Sequence, residues 1–352
     1  MTAAETPAAT EELLISREGH LGVIVLNRPK AINALTHGMV AGILEQLTAW
    51  QDDDDVAAVL IRGAGDRGLC AGGDIVSVYR SIQAEEFAEA EEFFRTEYRM
   101  NLLISDYPKP VVAFQDGIVL GGGVGVSGHA SHRVATERTR WGMPETGIGL
   151  VPDVGGTYLI SRLEGGFGPY LGMTGTHITG ADAVFLGLSS HHVDSSDLDA
   201  IQEALATEAP DAVLARFASE SGEAGLAAEA EWIHTAFGQG APAEIQTALQ
   251  ERSEEGAAQA AKALSRVSPM AQTVTLEAVR RAAQHDSLAD VLVQEFRVTA
   301  AHLREHDFPE GIRALLVDKD KNPQWQPAAV QDVTQEQVER YFTEPATGDL
   351  TF

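Results

Sequence analysis

The stretch Val111–Gly156 reads VVAFQDGIVLGGGVGVSGHASHRVATERTRWGMPETGIGLVPDVGG. Val111–Phe114 is an apolar run of the buried-strand type. Asp116-Gly117 turns the chain into Ile118–Leu120, and three consecutive glycines, Gly121–Gly123, follow. Val134–Thr136 is a further strand, and Arg140–Met143 leads into Pro144-Glu145. A second acid, Asp153, also follows a proline, Pro152. Glycines let backbone N–H groups come close to a ligand, because no Cβ intervenes. Carboxylates beside such donors suit acid–base or nucleophilic chemistry on a carbonyl. Gly147, Gly149 and Pro152 separate the two acids, so no single helix carries both.

Working outward toward the N-terminus, Leu13–Ile15 and Leu21–Leu26 read as strands around a Glu18-Gly19-His20 turn. The second is a Val/Ile/Leu run of the kind buried on both faces. Thr36 caps a helix His37–Gln51, where Met39, Val40, Ile43, Leu44 and Leu47 recur at helical spacing. The acidic run Asp52–Asp55 reads as a solvated turn. Val56–Arg62 is another strand, running into the glycine-rich segment Gly63–Asp74 ahead of a helix from Ile75. That segment lacks the Gly-Lys-Ser/Thr of a phosphate loop and fits the dinucleotide fingerprint poorly. Alone, it is either a tight turn or a loop of backbone donors. Its Cys70 is either a small buried apolar residue, the commoner case, or a nucleophile. Ala84–Leu103 is a long amphipathic helix with Glu97 among Phe93, Phe94, Tyr98 and Met100. Helix glutamates more often face solvent.

Toward the C-terminus, Gly155-Gly156 opens a helix Thr157–Leu163, and Thr174–Ala183 is a loop into a helix. Leu186–Val193 reads as a strand; its adjacent His191 and His192 point to opposite faces, so joint metal ligation is not expected. Asp197 to about Ala263 is Ala- and Glu-rich and reads as several helices. Ala271–His285 and Leu288–His306 are two more, and a short helix lies near Gln335–Phe342. Strand–helix alternation up to about residue 193 predicts an α/β core.

The chain carries 25 basic against 52 acidic residues, a formal charge of −27. Such a field disfavours nucleic acid and anionic membranes as partners, and an anionic ligand must find a local basic patch. Cys70 is the only cysteine, so there is no intrachain disulfide or cysteine metal cluster. Met1–Glu12 resembles neither a secretory signal nor a transit peptide, and the apolar runs fall short of the ~20 residues a bilayer span needs. The expectation is a cytoplasmic enzyme.

Two glycine loops, each following a strand, can each supply one N–H, and two such donors make an oxyanion hole. Glu145 and Asp153 are the candidate proton-handling or nucleophilic groups. Each acid alone is open to a purely structural role.

At this point the chain resembles the crotonase (enoyl-CoA hydratase/isomerase) superfamily. The matching segments are Leu26-Asn27-Arg28-Pro29-Lys30-Ala31-Ile32-Asn33-Ala34-Leu35, Leu69-Cys70-Ala71-Gly72-Gly73-Asp74, and Gly121-Gly122-Gly123 with Pro144-Glu145. The resemblance implies an α/β fold, a spiral of ββα turns with a helical C-terminal region. The implied division is a disordered N-terminus (1–12), a crotonase-like core binding the CoA thioester (13–195), and a helical part (196–352) that completes the active site and bears on assembly. It implies oxyanion donors at Gly73 and Gly122, and CoA near Arg28, Lys30, Ala31, Ala71 and Asp74. Arg28, Lys30 and Arg67 would then be the local basic patch.

Hydratases of that superfamily carry a glutamate two residues after the glycine triplet. This chain has Gly125 there, retains Glu145, and adds Asp153 in Pro152-Asp153-Val154-Gly155-Gly156. In this it is similar to the 3-hydroxyisobutyryl-CoA hydrolase subgroup. The likeness extends to Glu92–Tyr98, to His306-Asp307-Phe308-Pro309-Glu310-Gly311-Ile312-Arg313-Ala314, and to Asp318–Lys321 with Pro323-Gln324-Trp325. The subgroup implies Glu145 and Asp153 as catalytic carboxylates, with Glu97 and Gly122 at the acyl end of the substrate. The implied reaction is hydrolysis of a short branched 3-hydroxyacyl-CoA, with CoA part of the substrate and no separate cofactor or metal. Glu145 is either the nucleophile or the general base to a water. The alternatives are an enoyl-CoA hydratase or isomerase, and a non-catalytic CoA-ester binding protein. The acyl-CoA is the expected partner, and a homo-oligomer is compatible with the reading.

Overall fold

The computed structural model describes residues 10–238 and 240–352. The expectation of a disordered N-terminus lies, for residues 1–9, outside the described residues. The strands among the described residues are β1 (Leu13–Glu18), β2 (Leu21–Leu26), β3 (Ala58–Gly63), β4 (Gly68–Cys70), β5 (Val111–Gln115), β6 (Ile118–Leu120), β7 (His132–Ala135), β8 (Arg140–Gly142), β9 (Ile178–Thr179) and β10 (His191–His192). Two compact units divide the chain. The first takes the chain up to Gly73, Thr96–Trp141 and Ile178–Ala224; the second takes Asp74–Arg95, Gly142–His177 and Gly225–Phe352.

The first unit holds a six-stranded sheet of order β1-β2-β3-β5-β7-β10. Only the β1–β2 hairpin is antiparallel; the other four pairings are parallel. Parallel strands need both faces covered, and the sequence supplies apolar residues to both. On one face Leu21, Val23, Leu60, Val112, Phe114 and Val134 pack against Ile201, Leu205, Val213 and Leu214 of the helices Leu198–Leu205 and Pro210–Phe217. The alternate residues Ile24, Leu26, Val59, Ile61, Val111 and Ala113 are also buried. Each fully buried Val, Leu or Ile contributes about 1.5–3 kcal/mol of transfer free energy. A smaller sheet, β4-β6-β8-β9, carries the glycine segments at the ends of its first two strands.

The second unit is mainly helical. Met270, Val274 and Ala278 of the helix Pro269–Ala282 pack with Val298 of the helix Leu288–His302 and with Val338, Tyr341 and Phe342 near the C-terminus. Val151 joins this core, which anchors the chain two residues before Asp153. The C-terminal tail is tied down by Arg297, bidentate to Asp349 at 2.7 and 2.6 Å, and by Arg95 on the Gly348 and Asp349 carbonyls. Among the described residues no helix is long and apolar enough to cross a membrane.

The mixed α/β architecture with a helical C-terminal part is the one expected. Thr36 caps its helix as expected, accepting from the Met39 amide. Three local readings need correction. The glycine-rich segment after β3 is interrupted by β4, because Gly68 and Cys70 pair with β6; the helix then starts at Ile75, as expected. Of Leu186–Val193 only His191–His192 is strand, since the helix Gly180–Phe185 runs on into a turn closed by Gly187 at φ 72°. Asp307–Val317 is helical, first α and then π, where no helix was expected.

Candidate active site

In the first unit the two glycine segments lie against one another. A Cβ built on Gly123 would stand 2.4 Å from the Cys70 carbonyl oxygen, and one on Gly72 would stand 4.0 Å from the Gly122 nitrogen. The first spacing excludes any side chain at Gly123, while Gly72, which has room for a Cβ, takes a φ of 117° that favours glycine. Gly73 is held by a bridge to Leu35, and the Leu35 amide donates to the Gly72 carbonyl at 2.9 Å. Gly122 is the first residue of the helix Gly122–Gly128, whose early N–H groups have no carbonyl one turn behind them. Thus the two expected oxyanion donors belong to adjoining strand ends. Glu97 reaches the same place: a Cβ on Gly122 would be 2.9 Å from its Oε1. Glu97, on the helix Phe87–Ser105, is 2% exposed rather than solvent-facing. Cys70 is the inert alternative, with burial pushing its thiol up to about 12.

The expected CoA-binding residues are placed unevenly. Lys30 and Ala31 are exposed in the turn Pro29–Ala31. Arg28 is turned back on the protein, 3.1 Å from Glu12 and donating to the Ala34 carbonyl at 2.5 Å. Ala71 donates its amide to the Ile32 carbonyl, which ties together the two segments expected to hold CoA. Asp74 stands at the N-terminus of the helix Ile75–Gln83, in the second unit. Among the described residues no group of three or more His, Cys, Asp or Glu is arranged to hold a metal ion.

Both candidate acids belong to the second unit and are buried, Glu145 at 7% exposure and Asp153 at 5%. Glu145 opens a 3-10 turn, Glu145–Ile148, which its own carbonyl closes by accepting from the Leu150 amide at 3.0 Å. This turn rests on the helix Asp307–Ile312. A Cβ on Gly311 would stand 2.3 Å from the Ile148 carbonyl oxygen, and one on Gly149 2.3 Å from that of Asp307. Ser268 links the two segments: its hydroxyl donates to Asp307, and its amide to the Thr146 carbonyl. The C-terminal His306–Ala314 segment therefore supports Glu145.

Asp153 precedes a sharp reversal. Val154 and Gly155 both have positive φ, 53° and 76°, and the Gly156 amide returns to the Asp153 carbonyl at 2.6 Å. The short helix Gly156–Ile160 has no side-chain cap from its own segment. Glu295 supplies one from the helix Leu288–His302. Its carboxylate accepts from the Gly155 amide at 2.6 Å, the Thr157 amide at 2.9 Å and the Thr157 hydroxyl at 2.5 Å. A cap from a local Ser, Thr or Asp stabilises a helix by about 1 kcal/mol and leaves its carboxylate or hydroxyl near water. Here a fully buried carboxyl is used, and desolvating it costs several kcal/mol.

Burial pushes the Glu295 carboxyl up to about 8, against the lowering effect of the Thr157 hydroxyl; the Asp153 charge adds to the rise. With the folded value above the unfolded 4.5, its stabilising contribution is complete below about 4.5 and is lost as pH rises through about 8. The melting-temperature difference between wild type and Glu295→Gln is therefore expected to shift against the wild type from about pH 5 to about pH 8.5. Thermal melts across that range check it, and a difference that does not change with pH refutes it.

Glu295 and Asp307 were not marked by the sequence reading. Each sits more than a hundred residues from the acid whose turn it supports, Glu295 inside a helix whose spacing reveals only its apolar face and Asp307 in a helix that Pro309 and Gly311 mask. The sole signal was the Asp307-containing segment of the resemblance; Glu295 had none.

Comparison with known proteins places these features in context. A family model described as enoyl-CoA hydratase/isomerase matches residues 21–342. The mitochondrial 3-hydroxyisobutyryl-CoA hydrolase of Mus musculus is 39% identical, over 97% of this chain and 91% of the relative. Among solved structures, a carnitinyl-CoA dehydratase from Mycobacterium thermoresistibile superposes with a TM-score of 0.94 at 48% identity, over 97% of this chain and 99% of the other. An enoyl-CoA hydratase from Rhodobacter sphaeroides 2.4.1 gives 0.92 at 38% identity, over 97% and 100%.

Proposed function

We propose, from the premise that the chain belongs to the enoyl-CoA hydratase/isomerase family, that it hydrolyses a short branched 3-hydroxyacyl-CoA, 3-hydroxyisobutyryl-CoA first among them, to the hydroxyacid and free CoA. One observation carries the reading: the likeness to the mouse hydrolase runs over 97% of the chain, through the C-terminal segments that support Glu145 and Asp153. In this reading the N–H groups of Gly73 and Gly122 receive the thioester oxygen as it becomes an oxyanion. Such a donor is worth about 10²–10³ in kcat. Glu145 either attacks the carbonyl carbon, giving an anhydride that water opens, or takes the proton of an attacking water. The C–S bond breaks and the departing thiolate takes up a proton. Asp153 orients the water and assists that departure. Glu97 accepts a hydrogen bond from the 3-hydroxyl, a contact that substrates lacking the hydroxyl do not make. Arg28, Lys30, Ala31, Ala71 and Asp74 hold the CoA moiety, and no further cofactor takes part. The helical region 196–352 completes the site, and a cytoplasmic location and a homo-oligomer belong to the proposal.

A water-adding or water-removing enzyme is the second reading, favoured by the 48% identical structure described as a dehydratase. Against it stands Gly125, buried within the helix Gly122–Gly128 and without the side chain that a second water-holding acid requires. Free-thiol release from 3-hydroxyisobutyryl-CoA, measured beside hydration of crotonyl-CoA, decides between them. Thiol release with little hydration is expected. Hydration at comparable kcat/KM overturns the proposal, and tight ester binding with no turnover points instead to a binding protein.

A further inference from the structure

We propose that Glu295 is a positioning residue for the thioester reaction: it clamps the Asp153–Thr157 turn and so sets the direction of the Asp153 carboxylate. This rests on the reading of Asp153 as a catalytic group.

The turn needs an external hold. Val154 is β-branched and in the left-handed region, φ 53°, where a branched side chain crowds its own backbone. Such strain persists only where the surroundings over-determine it. Gly155 continues in the left-handed region at φ 76°, so the chain reverses directly after Asp153. Glu295 grips this reversal at the Gly155 amide and just beyond it, at the amide and hydroxyl of Thr157. On the near side, Val151 is locked in the apolar core. Asp153 is thus held from both directions within four residues.

The clamp is satisfied in either protonation state. Ionised, Glu295 accepts from all three donors. Neutral, it donates its proton from Oε1 to Thr157 Oγ1, which is 2.5 Å away, while both amides still donate to the carboxyl oxygens. An amide at residue 295 cannot reproduce this. Wherever its NH2 points, it meets one of the two backbone N–H groups donor to donor. Glu295→Gln therefore keeps the volume and loosens the turn. Thr157→Val removes only the hydroxyl contact.

The experiment is steady-state kinetics of the full chain with 3-hydroxyisobutyryl-CoA, read by thiol release, on Glu295→Gln, Thr157→Val, Asp153→Asn and the Asp153→Asn/Glu295→Gln double variant. A displacement of about 1 Å in a reacting group costs on the order of 10²-fold. Glu295→Gln is expected to lower kcat by ~10- to 100-fold with KM within about threefold, and Thr157→Val to lower it less than tenfold. Because Glu295 acts through Asp153, the double variant is expected to be no slower than Asp153→Asn alone. A general loss of folding would not produce that non-additivity. Multiplying losses in the double variant, or full kcat in a folded Glu295→Gln, overturn the inference. Should Glu295→Gln fail to fold, Thr157→Val with unimpaired kcat overturns it as well. Wild-type turnover in Asp153→Asn overturns the reading of Asp153 itself, and the inference with it.

Discussion

Glu145→Gln is expected to lower kcat for thiol release by ~10³-fold or more while acyl-CoA binding survives. The substitution keeps the shape of a buried side chain and removes its ability to act as nucleophile or to hold a proton. The turn itself should persist. It is closed through the Glu145 backbone carbonyl, by the Leu150 amide, and is packed on the helix Asp307–Ile312 through Gly149 and Gly311. Neither of these two holds uses the Glu145 carboxylate. Titrating the variant with substrate ester separates the two properties, because binding without chemistry leaves a stable complex. Turnover within a few-fold of wild type would remove Glu145 from the mechanism.

Asp153→Asn is expected to reduce kcat by ~10²-fold or more without creating hydration of crotonyl-CoA. The amide retains hydrogen bonding to water but cannot accept a proton. Its backbone stays fixed by the Val151 core contact and by Glu295 on the residues that follow. Hydration needs two acids to hold and activate water, and the variant would have Glu145 alone, with Gly125 contributing no side chain. Ultraviolet detection of the enoyl thioester beside the thiol assay checks both halves of the statement. A gain of hydration would show that Gly125 had been given too much weight.

The strands with dense Val, Ile and Leu content were legible because their pattern is local: Leu21–Leu26 reads from its own residues as a strand buried on both faces, and it is one. The helix His37–Gln51 was legible for the same reason, with its cap and its apolar spacing in one window. The short pieces were not. A two-residue strand such as His191–His192 exists only because the edge of the six-stranded sheet is there to pair with. The Asp307–Val317 helix was hidden by Pro309 and Gly311, residues that ordinarily break a helix, and forms where Gly311 is needed for its close approach to Ile148. Glu97 was legible as a residue but not as a buried one, since its burial depends on Gly122 coming within reach of its carboxylate.

The sequence by itself determined the fold class, the two glycine segments and the two acids behind prolines, because each rests on residue type and local spacing. It also determined the absence of a side chain at Gly125, which bears on the reaction as directly as any acid that is present. Tertiary structure alone decided that Gly72 lies beside Gly122, that Glu145 stands on the 307–312 helix, and that a glutamate 142 residues beyond Asp153 holds its turn. The physical reason is common to all three. Unpaired amides and close backbone approaches are satisfied by whatever group the fold brings near, and sequence distance places no limit on which group that is.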